Sequence, residues 1–126
     1  MVSQNRAGRI AKSIQEILSE LLLFEVTDPR VQGVFITDVQ VDRSLTLGSI
    51  YVSALEGAER RREVLEGFKH ATGFLRTALA AKMDLRVFPK LRFVWDETPE
   101  KAERIEKLIH TLHQDETPKE KKPKRG

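Results

Sequence analysis

The amino-acid sequence predicts a single α+β domain, in which helices cover one face of a three-stranded sheet. Apolar residues recur every three or four positions in four segments and alternate in three others, in the order α, β, β, α, α, β, α. The chain has 126 residues, which is enough for one domain with its own core. It contains no cysteine, so disulfides, thiolate metal sites and a cysteine nucleophile are excluded.

The first predicted helix covers residues 6–24. Asp28 precedes Pro29, and a residue before proline is pushed out of the helical conformation, so the helix should end ahead of this pair. Gly33 completes a turn, which places Arg30 on an exposed loop. The apolar stripe of the helix follows three- and four-residue spacings and consists of Ile10, Ile14, Ile17, Leu18 and Leu21.

Two strands follow, Val34–Val41 and Leu47–Ala54, and they should pair as an antiparallel hairpin. Val34 and Ile36 interrupt the alternation of the first strand, which indicates a bulge or a strand end covered on both faces. Alternation otherwise gives this strand an apolar face, made of Phe35, Val39 and Val41, and a polar face, made of Asp38 and Gln40.

The next helical region is predicted as two segments, residues 57–70 and 73–83, joined around Ala71, Thr72 and Gly73. A glycine inside a helix costs about 1 kcal/mol relative to alanine, so another property of this position must favour it. A site without a side chain lets a phosphate approach the backbone closely, and a kink there would open a helix N-terminus that attracts anions.

On an ideal helix, Gly73 lies on one stripe between Lys69 and Arg76. This arrangement predicts a basic RNA-binding stripe, with His70 as a candidate for stacking on an unpaired base. The alternative interpretation is that Gly73 permits close packing against another helix, while the two cations form an ordinary solvated face.

Further basic residues follow the stripe in sequence: Lys82, Arg86, Lys90 and Arg92. If the first helix lies beside the helical region, Arg6, Arg9 and Lys12 would extend the same phosphate-contacting surface. The net charge of the chain is +3, and the tail from Thr117 alone carries +4. The rest of the chain is therefore at −1, so an RNA-binding face requires that charges of opposite sign be segregated.

A third strand is predicted at residues 91–96, and a last helix begins with Thr98 as N-cap and Pro99 at its first position. Residues 115–126 contain no apolar side chain, which predicts a disordered basic tail after a domain of residues 1–114. The apolar stripe of the last helix consists of Ala102, Ile105, Leu108, Ile109 and Leu112.

The sequence contains no recognisable catalytic, nucleotide-binding or metal-binding motif, so we expect neither an enzyme nor a bound cofactor. His110 and His113 lie three residues apart, but no third metal ligand accompanies them. No apolar run approaches the roughly 20 residues that span a bilayer, and the N-terminus lacks the basic-then-apolar pattern of a signal peptide. We expect a soluble, cytoplasmic monomer with no small-molecule substrate.

Two motifs carry a resemblance to a known family. Ala71-Thr72-Gly73 and the segment Thr27-Asp28-Pro29-Arg30-Val31 closely resemble elements of the bacterial ribosome-binding factor A family, and the resemblance covers most of residues 6–110. The resemblance implies a fold similar to a type II KH domain, in which an alanine-x-glycine kink replaces the usual GxxG loop. The turn at residues 42–46 departs from the pattern of the family.

The resemblance also implies a function. A member of this family would be a non-catalytic assembly factor that binds 16S rRNA of the immature 30S ribosomal subunit. It would promote late maturation, including processing of the 5′ end, and a role in cold adaptation is implied as well.

Two alternative functions remain open from the residues. The protein would be a general single-strand RNA binder, or a stress factor that parks on ribosomes, if its RNA contacts are not specific to assembly. It would be a protein-interaction module with no RNA role if the last helix and the basic tail dock an acidic partner.

Overall fold

The computed structural model describes residues 2–120, with side chains for residues 6–113. It contains three helices and three strands in the order α-β-β-α-β-α. These elements are α1 (Val2–Phe24), β1 (Val34–Val41), β2 (Leu47–Ala54), α2 (Arg61–Lys82), β3 (Lys90–Trp95) and α3 (Thr98–Glu120). Short 3₁₀ turns at Pro29–Val31 and Ala58–Arg60 precede β1 and α2. The predicted α+β class and the predicted hairpin are confirmed.

The sheet has the order β1-β2-β3, so β2 is the central strand. It pairs antiparallel with β1 and parallel with β3. Parallel neighbours require a crossover connection, and α2 provides it. Opposite Ile50 of β2 lie Val39 on one side and Phe93 on the other, and this row belongs to the buried face of the sheet.

The core lies between this face of the sheet and the apolar stripes of α1 and α2. The ring of Phe68 stacks on that of Phe93, with centroids 4.3 Å apart and planes 7° from parallel. The stripes predicted from three- and four-residue spacing supply the fully buried side chains of both helices, which are Ile14, Leu18, Val64, Phe68, Leu75 and Leu79.

A bulge interrupts β1 between Ile36 and Asp38, as the broken alternation indicated. Because the extra residue, Thr37, shifts the register, Val34 and Ile36 pack on the core together with Val39 and Val41. Phe35 pairs with Ser53 and is 39% exposed. Its predicted place on the same face as Val39 was therefore wrong.

The helical region predicted as two segments is one helix that continues without a break through residues 71–73. The order of the elements is thus confirmed, but α2 is not divided into two helices at the position where a kink was expected. The apolar register passes through Ala71 unbroken, and this continuity favours a single helix.

The chain divides into two compact units, Met1–Asp96 and Glu97–Gly126. The second unit begins just ahead of α3, whose apolar residues Ile105 and Leu108 are 56% and 60% exposed. Residues 115–120, predicted as the start of a disordered tail, continue α3. Residues 121–126 lie outside the described part of the chain, and the predicted state of that segment stays a prediction.

Candidate RNA-binding surface

The first candidate site is a groove of about 390 Å³ between the N-terminal half of α1 and the end of α2, here named the α1–α2 groove. Arg6 and Arg9 line it from α1, and Lys82 lines it from the last turn of α2. The predicted adjacency of the two basic segments is therefore present. Asp84 also lines the groove, so three basic side chains face one carboxylate. Because the apolar stripe of α1 packs on the core, the basic side chains of this helix lie on its solvent side.

A second groove, of about 520 Å³, follows the N-terminal half of α2 and is named the α2 groove. Lys69 lines it together with Arg61 and Arg62, so that three cations meet two acids, Glu59 and Glu66. Lys69 and His70 are both exposed. The first half of the predicted basic stripe is therefore open to solvent.

Gly73 is exposed, and a β-carbon built on it would meet nothing within 4 Å. The close helix packing that the alternative interpretation assigned to this glycine is therefore wrong, whereas the solvated face that it assigned to the cations is not tested by this finding. Thr72 donates its hydroxyl proton to the carbonyl of Phe68 at 2.6 Å, and Ala71 packs partly against the core. Gly73 thus forms a bare patch on the outer face of an unbroken helix.

Gly67 is the glycine of α2 that packs closely. A β-carbon there would lie 2.8 Å from Val31 Cγ1 and 3.0 Å from Arg30 Cβ. The contact of 2.8 Å is shorter than real β-carbons make, so any larger residue would force the turn at residues 28–31 to shift on α2. The role of Gly67 was not predicted from the sequence, although on a helical projection Gly67 lies beside the buried stripe and Gly73 lies opposite it.

Arg60, immediately before α2, fixes the same turn. Its guanidinium donates hydrogen bonds to the backbone carbonyls of Gln32 at 2.6 Å and Arg30 at 3.0 Å. Glu63 and Glu56 balance its charge at 2.8 and 3.3 Å, and the arginine side chain is only 13% exposed. The role of Arg60 was not predicted from the sequence either, because the carbonyls that it binds are distant in sequence.

Arg30 lies within the turn, and its guanidinium is paired with Asp28 at 2.7 Å. The hydrogen bonds of the Arg30 side chain and then of its backbone N–H lower the pKa of Asp28 from 3.8 to about 2. The side-chain hydrogen bond in turn raises the pKa of Arg30. Arg30 was predicted on an exposed loop, but an RNA phosphate would have to compete with this ion pair.

Arg76, the other predicted cation of the stripe, is bound to the loop before β3. It donates a hydrogen bond to the carbonyl of Phe88 at 3.1 Å, and its guanidinium lies 5.8 Å from the centre of the Phe88 ring. A longer contact of 3.5 Å reaches the carbonyl of Pro89. Changing Arg76 would therefore disturb this loop in addition to removing a charge.

The remaining predicted residues are spread over several surfaces. Lys12, Arg86 and Lys90 are exposed on α1, on the loop after α2 and at the start of β3. Arg92 pairs with Ser49 of β2 and donates a hydrogen bond to its hydroxyl at 2.9 Å. This pair alternates with the core row of Ile50 and Phe93, so Arg92 lies on the face of the sheet opposite to α1 and α2. It does not belong to the surface formed by the helices.

Comparison with known proteins supports the resemblance carried by the two motifs. A family model described as ribosome-binding factor A matches residues 6–109. The ribosome-binding factor A of Nitrosomonas europaea is 43% identical over 105 residues, which cover 83% of this chain and 90% of that protein. The chain belongs to the ribosome-binding factor A family.

Solved structures of the ribosome-binding factor A family share the fold. The crystal structure of the Thermus thermophilus protein aligns with a TM-score of 0.63 at 24% identity, covering 71% of this chain and 93% of that chain. A second Thermus thermophilus structure is a homology model of the factor fitted into the cryo-EM map of a 30S complex. It aligns with a TM-score of 0.55 at 25% identity, over 66% of this chain and 87% of that chain.

Ribosome-binding factor A is a family of ribosome-binding factors and not of enzymes. Among the described residues, no three His, Cys, Asp or Glu side chains are grouped so that they could hold a metal ion. No helix in the described part of the chain is long and apolar enough to cross a lipid bilayer.

Proposed function

We propose that this protein is a non-catalytic assembly factor that binds the immature small ribosomal subunit through 16S rRNA. Membership of the ribosome-binding factor A family supports ribosome binding. The Thermus thermophilus relative fitted into a 30S complex supports the small subunit as the partner.

The observation that carries the RNA assignment is the α1–α2 groove. Lys82 is far in sequence from Arg6 and Arg9, yet all three line one groove, although the chain without its tail has a net charge of −1. Scattered cations that serve only solubility need not converge in this way. Phosphates are the ligands that such a cluster suits, and several charge contacts together produce strong, salt-dependent binding.

A factor without catalytic groups acts through binding energy alone. It shifts an RNA conformational equilibrium only by its difference in affinity for the two states, so it must bind the immature subunit more tightly than the finished one. We assign it to a late step that includes maturation of the 5′ end of 16S rRNA, and to adaptation to cold. It would act as a cytoplasmic monomer without a nucleotide or metal cofactor.

Cosedimentation tests this proposal against a general RNA binder. The protein should cosediment with small-subunit precursors in the presence of excess bulk RNA, and should bind finished 30S subunits less tightly. Displacement by bulk RNA, or equal affinity for precursors and finished subunits, would contradict the assignment to assembly.

Charge reversal tests it against a protein-interaction module with no RNA role. Arg9→Glu and Lys82→Glu change two exposed side chains of the α1–α2 groove and should abolish binding to precursor rRNA. Lys107→Glu changes an exposed lysine of α3 and is the matched control, which should leave RNA binding unchanged. If instead only Lys107→Glu weakens binding to the subunit, the module that uses the last helix is the better account.

A further inference from the structure

The outer face of α1 changes its chemistry along the length of the helix. Its N-terminal half carries Arg9 and Lys12, whereas Glu16 and Glu20 occupy the corresponding positions in the next turns. Leu23 and Phe24 then end the helix and are 76% and 78% exposed. Arg9 and Leu23 are separated by about 21 Å at 1.5 Å per residue.

The C-terminal end of α1 is acidic. No lysine, arginine or histidine occurs between Lys12 and Arg30, and the last turn of α1 has no basic residue to balance the negative end of the helix dipole. Within the described residues, Glu16, Glu20 and Glu25 form no ion pair. Arg30 is neutralised by Asp28. The side chains at this end of α1 therefore carry a net negative charge.

The same end of α1 borders a groove of about 270 Å³, which is lined mainly by apolar side chains and also by Ser19 and Gln32. Leu22 and Leu23 line it from α1, and Val34 and Phe35 line it from β1. Phe35 reaches this position because the bulge in β1 turns it away from the core face. Leu23 and Phe35 expose apolar surface at this groove, and Phe24 adds an exposed ring at the end of α1. Exposed apolar surface often marks a protein interaction site.

We propose that this acidic, apolar surface docks a basic polypeptide segment of a protein of the small ribosomal subunit, whose apolar side chains enter the groove. RNA does not suit the surface, since its phosphates would face the unpaired carboxylates of Glu16 and Glu20. The basic tail of this chain matches the charge but has no apolar side chain for the groove. A second copy of this surface would place like charges opposite each other.

The two ends of α1 would therefore contact the two components of the ribosome, RNA at Arg9 and protein at Leu23. This inference rests on the proposed function, because it takes the small subunit as the partner. Its docking surface is nevertheless separate from the α1–α2 groove.

Substitutions distinguish the α1–α2 groove from the surface at the C-terminal end of α1, because only the groove should affect how steeply affinity for precursors falls with salt. Leu23→Ser with Phe24→Ser should weaken binding to small-subunit precursors about tenfold, since buried apolar anchors dominate protein interfaces. The slope of affinity against salt should stay unchanged, because no phosphate contact is lost. Val87→Ser, at a residue that is 69% exposed in the loop before β3, is the matched control and should have no effect. Unchanged affinity of the double variant would overturn the proposal.

Site-specific photocrosslinking then identifies the occupant. The full-length protein, carrying a benzophenone side chain in place of Ser19 or of Ser13, is irradiated on purified small-subunit precursors. Ser19 lines the groove beside Leu23 and Ser13 lines the α1–α2 groove, so both probes leave the proposed contact side chains in place. We expect position 19 to crosslink to a basic segment of a small-subunit protein and position 13 to crosslink to rRNA. If position 13 crosslinks but position 19 yields rRNA, a second copy, the tail or nothing, this inference alone is wrong. If neither position yields a product, the proposed function is wrong as well.

Discussion

Within α2, an added β-carbon would overlap neighbouring atoms at Gly67 but would meet none at Gly73. Replacing these two glycines with alanine should therefore change the free energy of unfolding in opposite directions. Gly67→Ala should lower the free energy of unfolding by about 1–2 kcal/mol, because Val31 is stiff and buried and the gain in helix propensity offsets only part of the overlap. Gly73→Ala should raise it by about 0.5–1 kcal/mol, since the new methyl group meets no neighbour. Urea unfolding of both variants measures the difference.

The reverse order of stabilities would show that the turn at residues 28–31 does not rest on Gly67. Gly73→Ala serves as the control for the change in helix propensity, because both substitutions remove a glycine from the same helix. A loss of stability in both variants would contradict the open surroundings of Gly73.

The carboxylate of Asp28 provides a pH-dependent contribution to stability. Its pKa in the folded protein, about 2, lies below the ordinary value of 3.8, because Arg30 donates hydrogen bonds to the charged form. A carboxyl group whose pKa is lowered by folding stabilises the folded protein fully when the pH is above its pKa in the unfolded chain. This stabilisation is lost as the pH falls through its pKa in the folded protein. The Asp28→Asn variant should therefore show a smaller loss of stability than the wild type between pH 4 and about 2.

Thermal unfolding at a series of pH values compares the two proteins. Hydrogen bonds from Thr46 and then from the backbone of Leu47 also lower the pKa of Asp42, which lies in the β1–β2 turn, so the wild type loses more than the Asp28 contribution. Subtracting the Asp28→Asn curve isolates that contribution. Parallel curves in this window would show that the ion pair with Arg30 is not formed in solution.

At the scale of elements, Arg60 joins the turn at residues 28–31 to the start of α2. Arg60→Gln should lower the free energy of unfolding by about 2 kcal/mol, because the carbonyls of Gln32 and Arg30 lose a charged hydrogen-bond donor. Arg62→Gln, at an exposed position of the same helix, should change it by less than about 0.5 kcal/mol. Equal effects in urea unfolding would contradict the assigned role of Arg60.

Elements defined by local periodicity could be predicted from the sequence. The three- and four-residue stripes of α1 and α2 and the alternation in β2 each contain enough information to fix a helix or a strand. The bulge in β1 could be suspected, because Val34 and Ile36 broke the alternation. The side on which Phe35 lies could not be predicted, because one extra residue reverses every position beyond it.

The candidate site could be predicted only in part, because partners that are distant in sequence decide which cations are available. Exposure of Lys69 and Gly73 followed from the helical projection. The engagement of Arg76 with Phe88, and of Arg30 with Asp28, depends on how loops fold back onto α2. Alternation within β3 already places Arg92 on the face opposite to Phe93, so only its partner Ser49 depends on the parallel pairing of β3 with β2, which no local pattern specifies.

For the whole molecule, the distribution of charge is more informative than its sum. The net charge of +3 comes from the tail, while cations gather at the α1–α2 groove and acids gather at the other end of α1. A nearly neutral protein with separated charges can be oriented by the phosphate field of its partner before contact. This separation underlies both proposals, because RNA and a basic protein segment require opposite signs.

The central claim is that the cations of the α1–α2 groove contact phosphates of small-subunit rRNA. The most direct test is the salt dependence of affinity for small-subunit precursors, measured for the wild type, for Arg9→Gln with Lys82→Gln, and for Lys107→Gln. Each lost phosphate contact should reduce the slope of log affinity against log salt by about one, so the groove variant should lose about two. The Lys107→Gln control should keep the wild-type slope. A groove variant whose slope equals that of the wild type would contradict the account.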